Sequence, residues 1–262
     1  MTNNLTSGLI GTLCIAAISG FQYSSLNRLN SNTKDGFVQS NYSKVEQTVE
    51  QLNILKNTPS FGFGNSIANW GFLQFLQYFG DEEARNANGY NLSPDYLSAV
   101  LAHDPYYKDF YLFLSESATF YAGMPDRTVE IIETKLPYLK ENRAPDSYYV
   151  WRYKGTDELL FLDDSKTAQK SFEMAAAWAE ESNKKDSKLI ATLSRQTADF
   201  LASDPDSTQA KIGAWGNILT TSRDEQTQAR AVQNIRKLGG EVVISDAGGV
   251  SIEYPPTSKK ED

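Results

Sequence analysis

Between Ser66 and Gly240 the chain repeats one pattern: apolar residues at helical spacing, then a glycine or proline stop, roughly every fifteen residues. A helix of that length has one apolar stripe to bury, so the pattern predicts an all-α body in which successive helices pair. The first long helix runs from Ser66 to Phe79, with Ile67, Trp70, Leu73, Phe75, Leu76 and Phe79 apolar on more than one face, and Gly80-Asp81 ends it. Ser93-Pro94 reads as an N-cap followed by proline at the first helical position, and that helix stops at Asp104-Pro105. Tyr107 to Tyr121 follows, then a turn at Gly123–Asp126, then Thr128 to Leu136 with Pro137 marking its exit. Further helices are expected at Ser147–Leu162, Lys166–Glu181 and Ser187–Ala202, the last with Leu189, Leu193, Phe200 and Leu201 inward. Thr208–Thr221 and Arg223–Leu238 make the final pair. Ser222 and Glu225 stand at capping-box spacing, and Gly239-Gly240 is the stop.

The period changes after Gly240. Glu241–Ser245 and Val250–Tyr254 flank Asp246-Ala-Gly-Gly249 and read as a β-hairpin, which must pack on the last helices or pair elsewhere because a lone hairpin is marginal in water. Before Ser66 a linker carries a short helix with Val45, Val49, Leu52 and Leu55 near helical spacing, broken by Asn57–Gly64. The chain is thus read as 1–29 hydrophobic segment, 30–64 linker with short helix, 65–240 helical body, 241–254 hairpin and 255–262 polar tail.

Met1 to Asn27 holds no charged side chain. Its apolar core, Leu9 to Phe21, spans about 20 Å as a helix, short of the roughly 30 Å of bilayer hydrocarbon. Extension over residues 5–26 reaches about 33 Å but takes in Thr6, Ser7, Gln22 and Tyr23. Three fates fit: a retained single-pass anchor, a signal peptide cleaved near Ala17-Ile18-Ser19, or a core helix. We favour the anchor, since a basic n-region is missing. Cys14 follows Leu13, where a lipoprotein signal carries a small residue. Arg28 and Lys34 come after the segment and vote weakly for a body on the cytoplasmic or stromal side.

Pro105 and Pro137 lie 32 positions apart. With Ala168, Phe172 and Ala175 in a second helix and Leu159 in the first, the stretch Ser147–Ala177 resembles a tetratricopeptide repeat, whose period is about 34 residues. The likeness covers Ser66 to Leu238 with one good unit, and it implies an α-solenoid of antiparallel helix pairs. Trp70, Phe75–Gly80 and Tyr149-Val-Trp-Arg-Tyr-Lys-Gly155 also resemble a membrane-anchored group of cyanobacterial proteins. That resemblance implies a thylakoid or plasma-membrane setting and brings no activity with it.

The net charge of −8 makes a phosphate-binding surface a poor fit, so no nucleic-acid partner is expected. One cysteine and one histidine, His103, leave neither a disulfide nor a Cys/His zinc site. His103 before Asp104 reads as a last-turn histidine rather than a general base, because no nucleophile or oxyanion site accompanies it. Asp157 and Glu158 are adjacent on a helix and point about 100° apart, so they do not converge; Glu130 and Glu133 share a solvated face. No P-loop or nucleophile-elbow pattern occurs, and no catalytic residue, metal or cofactor is expected.

The aromatic clusters carry the functional expectation. Tyr106, Tyr107, Phe110, Tyr111, Phe113, Phe120 and Tyr121 crowd one helix, and Tyr148, Tyr149, Trp151 and Tyr153 another. One face buries about half of them and the rest suit a contact surface. Tyr107, Tyr111, Tyr149, Arg152, Tyr153 and Lys154 are the expected protein-binding residues, with Arg152 and Lys154 placed to receive an acidic peptide end. The expected function is a non-catalytic, membrane-tethered scaffold or assembly factor that binds another protein or membrane complex through a helical groove. Two alternatives stand beside it: an accessory subunit of a membrane complex, photosynthetic if the cyanobacterial resemblance holds, and a small-molecule or lipid binder with an apolar cavity among Trp70, Phe75, Phe110 and Trp151.

Overall fold

The computed structural model describes residues 37–81, 89–141, 144–203, 206–222, 225–244 and 250–255. The expected membrane segment over residues 5–26 and the polar tail after Pro255 lie outside them. The chain divides into two compact units, 1–48 and 49–262. Of the first, residues 37–48 are described, and they form the beginning of helix α1, Phe37–Asn57. This helix takes in Val45, Val49, Leu52 and Leu55, the residues read as a short helix, and runs for 21 residues. Among the described residues no helix is long and apolar enough to cross a membrane.

The second unit is helical up to a short hairpin. Its helices are α2 (Gly64–Gly80), α3 (Ser93–His103), α4 (Lys108–Leu114), α5 (Pro125–Glu141), α6 (Tyr148–Leu160), α7 (Ser165–Glu180), α8 (Ser187–Ala202), α9 (Thr208–Thr221) and α10 (Glu225–Lys237). Between α4 and α5 the residues Ser115–Tyr121 wind as a π-helix. Several stops act as read: Gly123 and Gly239 adopt positive φ, and Asp164 caps α7 by accepting from the Thr167 backbone N–H at 2.9 Å.

Three local expectations are corrected. Ser93 does not cap α3. Leu92 holds the cap position without a side-chain cap, and the Ser93 hydroxyl is buried beside the Tyr78 phenol. Pro137 does not end its helix, for α5 runs through it to Glu141. Ile131 and Ile132 before the proline and Leu139 after it are all buried in the main core, and their packing outweighs the lost hydrogen bond. Pro105, which follows α3, and Pro137, inside α5, therefore hold different structural places. Last, Leu189 and Phe200 of α8 are about 60% exposed (62% and 60%) and Leu193 also faces outward, leaving only Leu201 inward of the four. The buried stripe is Ser187, Ala191, Ser194, Ala198 and Leu201. Its small side chains suit the packing of α8 on α7, where Ala198 and Leu201 meet Ala168 and Phe172.

The main core joins α2, α3, α4, the π-helix, α5 and α6 around Phe75, Leu97, Leu101, Phe110, Tyr111, Leu114, Ile132 and Tyr148. Aromatic rings interlock there: Phe72 meets Phe110 at 5.0 Å and Phe113 at 4.9 Å between centroids. A second core links α9 and α10 through Ile212, Trp215, Ile218, Ala231 and Ile235. The hairpin closes it. Strands β1 (Glu241–Ile244) and β2 (Val250–Glu253) pair antiparallel with Val242 opposite Ile252, and both of those side chains pack on the second core. Gly216 of α9 makes room for them, since a Cβ there would fall on the Ile252 methyl.

Candidate functional site

Helix α6 stands at the centre of the unit, touching α4, the π-helix, α5, α7 and α9. It has no continuous apolar face, and its neighbours sort its residues into two sites.

The first is a surface shared with α4. Tyr107, half exposed at the start of α4, lies edge-on to Phe110 at 4.8 Å. Lys108 sits over the Tyr149 ring, 5.8 Å from its centroid, and pairs with Asp109. Tyr149 stacks on Tyr153 at 6.2 Å. The hydroxyls of Tyr148 and Tyr149 both donate to the Asp186 carboxylate, at 3.1 and 2.7 Å. Burial and that carboxylate push the Tyr149 phenol up to about 12, while the Tyr149 hydroxyl holds Asp186 below the usual carboxylate range. The structure therefore brings Tyr107, Tyr149 and Tyr153 together around Lys108. Arg152 turns elsewhere: it donates to the Ser194 hydroxyl at 2.7 Å and lies over the Phe172 ring. Tyr111 and Lys154 are buried, which removes them from any exposed surface. The Tyr111 hydroxyl donates to the Pro105 carbonyl at 2.6 Å.

The second site is buried and polar. Lys154 pairs with Glu158 one turn on, and its ammonium also reaches Glu133 of α5 at 3.2 Å and the Ser171 hydroxyl of α7 at 3.4 Å. Ser171 in turn donates to the other Glu158 oxygen at 2.6 Å. All three ammonium protons thus have partners. Asp157 points the other way, toward the π-helix. It is fully buried, and Oδ1 accepts from Ser115 at 2.8 Å. Its second oxygen faces the Thr119 hydroxyl, and the hydrogen bonds from Ser115 and Thr119 offset part of the cost of burial. Desolvation pushes the Asp157 carboxyl up to about 8, so at neutral pH it is mostly the protonated acid. The π turn sets Ser115 and Thr119, four residues apart, beside this one carboxyl. The expectation that Asp157 and Glu158 do not converge matches these separate partners; their burial was not foreseen.

His103 is tied on both nitrogens. Nε2 donates to the Leu55 carbonyl at 2.7 Å, since a carbonyl can only accept, and Nδ1 lies in hydrogen-bond contact with the Ser60 hydroxyl at 2.9 Å. Asp104 does not orient the ring; it accepts from the Tyr106 backbone N–H at 3.0 Å.

The four residues proposed to enclose an apolar cavity do not meet around one space. Trp70 is exposed, Phe75 and Phe110 are packed in the main core, and Trp151 lies edge-on to Trp178 at 5.9 Å. A depression of about 490 Å³ between α7 and α8 is walled by Glu180, Lys188, Thr192, Arg195, Gln196 and Asp199, with Arg195 held to Glu180 at 2.6 Å. Among the described residues no group of three or more His, Cys, Asp or Glu could hold a metal ion. Fold and sites together define an all-α protein of packed helices closed by a hairpin, with a largely buried polar cluster around its central helix. Comparison with models of protein families, with curated proteins and with solved structures finds no match to this chain.

Proposed function

We propose that this chain is a non-catalytic scaffold that binds another protein through the α4–α6 surface and is tethered to a membrane by its N-terminal segment. The observation that carries the reading is the face on which the exposed Tyr107 meets the partly buried Lys108, Tyr149 and Tyr153. These aromatics retain contact area outward although their helices also build the core. The titratable groups support it from the other side, because Lys154, Glu158 and His103 are committed to internal partners. A tetratricopeptide-like stacking of helix pairs is the finer architecture we favour, with Ala168, Phe172 and Ala175 of α7 as its clearest repeat signature. A thylakoid or plasma membrane is the setting that the cyanobacterial resemblance suggests.

The test is affinity purification of the tagged full-length chain from detergent-solubilised membranes, with mass spectrometry of what co-purifies. Tyr107→Ala/Tyr149→Ala is run beside it. Capture of one complex by the parent and its loss in the variant is the expected result. Equal capture by both moves the binding face elsewhere, and no specific capture by either removes the scaffold reading.

A further inference from the structure

From Asn57 to Gly80 the chain has no charged side chain, in a protein where 22% of residues are charged; only the run from Met1 to Asn27 is longer. Helix α2 lies within that stretch. It buries Ala68, Gly71 and Phe75 and turns Ser66, Trp70, Leu73 and Gln77 to the opposite side. Trp70 is 55% exposed and Leu73 57%. The loop before the helix adds Phe61 at 84% and Phe63 at 69%. Phe63 precedes Trp70 by two helical turns and so continues its face. Phe61 has φ +46° and is followed by Gly62 at +88°, a backbone that bulky side chains rarely adopt, and its ring gains almost no burial there.

We propose that this face docks on the headgroup–acyl boundary of a lipid bilayer. The proposal rests on the membrane setting argued above and adds a second point of contact, on the folded body itself. The absence of charge selects the occupant. A protein–protein patch has an apolar centre with a polar, charged rim, whereas α2 itself carries no charged side chain from end to end, the nearest in sequence being Lys56 and Asp81 beyond its two ends. A bilayer boundary takes Phe, Leu and Trp with amides and hydroxyls at headgroup level, the set that Phe61, Phe63, Trp70, Leu73, Gln77 and Ser66 provide. On a chain of net charge −8, an uncharged face is also the one that meets a zwitterionic surface without stripping water from carboxylates. The chain's other long uncharged run is the segment read as its membrane tether, so both such stretches answer to one surrounding.

Trp70 reports on the contact, because Trp178 and Trp215 are buried and Trp151 is half-buried. The full-length chain is mixed with phosphatidylcholine vesicles carrying bromine on their acyl chains, and the Trp70 component is obtained as the difference from Trp70→Phe. Docking predicts that this component shifts to the blue, loses most of its intensity to bromine and becomes inaccessible to acrylamide. Phe61→Ser/Phe63→Ser/Leu73→Gln, checked for native circular dichroism, restores acrylamide access while the chain still sediments with vesicles. If the parent sediments but Trp70 stays open to acrylamide and untouched by bromine, the tether stands and the docking face is wrong. If Trp70 is shielded from acrylamide before vesicles are added, a second copy or another part of the chain covers it and the inference falls. A chain that stays in the supernatant with Trp70 open overturns both the inference and the membrane setting.

Discussion

Replacing Asp157 by asparagine should make the protein more stable at neutral and mildly alkaline pH, the reverse of what removing a carboxylate usually does. An acid whose pKa rises on folding keeps its proton in the folded state while the unfolded chain gives it up. Asp157 goes from 3.8 to about 8, so between those values the folded state holds one extra proton. The contribution of this group is then greatest below pH 4 and falls by about 1.4 kcal/mol per pH unit as pH rises, levelling off above pH 8. At pH 7 the accumulated cost is on the order of 4 kcal/mol. Asparagine cannot titrate. Its oxygen still accepts from Ser115, and its amide supplies the proton that Oδ2 carries in the acid, facing Thr119. The assay is urea unfolding of parent and Asp157→Asn by circular dichroism at pH 4, 5, 6, 7 and 8. Other titrating groups cancel in the difference. The two proteins should be nearly equal at pH 4 and diverge in favour of asparagine toward pH 8. A flat difference across that range, or a less stable variant at pH 8, would refute the argument that burial keeps this carboxyl protonated.

Further outcomes can be stated briefly. Lys154→Met leaves Glu158 buried without its partner and should cost about 3–5 kcal/mol in urea unfolding, while Lys154→Met/Glu158→Leu should recover most of that loss. Gly216→Ala pushes Ile252 off α9 and should cost about 1–3 kcal/mol, seen as faster hydrogen exchange in β1 and β2 with α2–α6 unchanged. Leu193→Gln on the outer side of α8 should stay within about 0.5 kcal/mol of the parent, whereas Ala198→Leu on its inner side should cost about 1–3 kcal/mol in the same measurement.

Helix existence was readable from the sequence because it depends on local facts. Glycine and proline stops, with helical spacing between them, bound α8 at Ser187 and Ala202 and α6 to within two residues. What was not readable depends on neighbours. On α8 two stripes share helical spacing, one of Leu189, Leu193 and Phe200, the other of serine and alanine. Apolarity points to the first, yet the alanines of α7 reward the second by close approach. On α6 the sequence shows only that Asp157 and Glu158 point apart; Ser171 and Ser115, distant in sequence, supply the hydrogen bonds that let Glu158 and Asp157 go inside. The π-helix over Ser115–Tyr121 has no pattern in its residues that we could have used. Within the candidate surface, Tyr107, Tyr149 and Tyr153 were identified by aromatic crowding alone, which does not tell an outward ring from Tyr111 in the core.

His103 also has a topological consequence. It joins Leu55, in the last turn of α1, and Ser60, in the loop that follows, to the end of α3, and so closes a loop of chain that contains the whole of α2. Proteins often close loops of this size with a disulfide, which restricts the unfolded chain and holds only where thiols are oxidised. An imidazole clasp forms only in the folded state and is indifferent to redox poise. It gives a chain with a single cysteine the same closed geometry in any compartment, and it is opened by unfolding rather than by reductant.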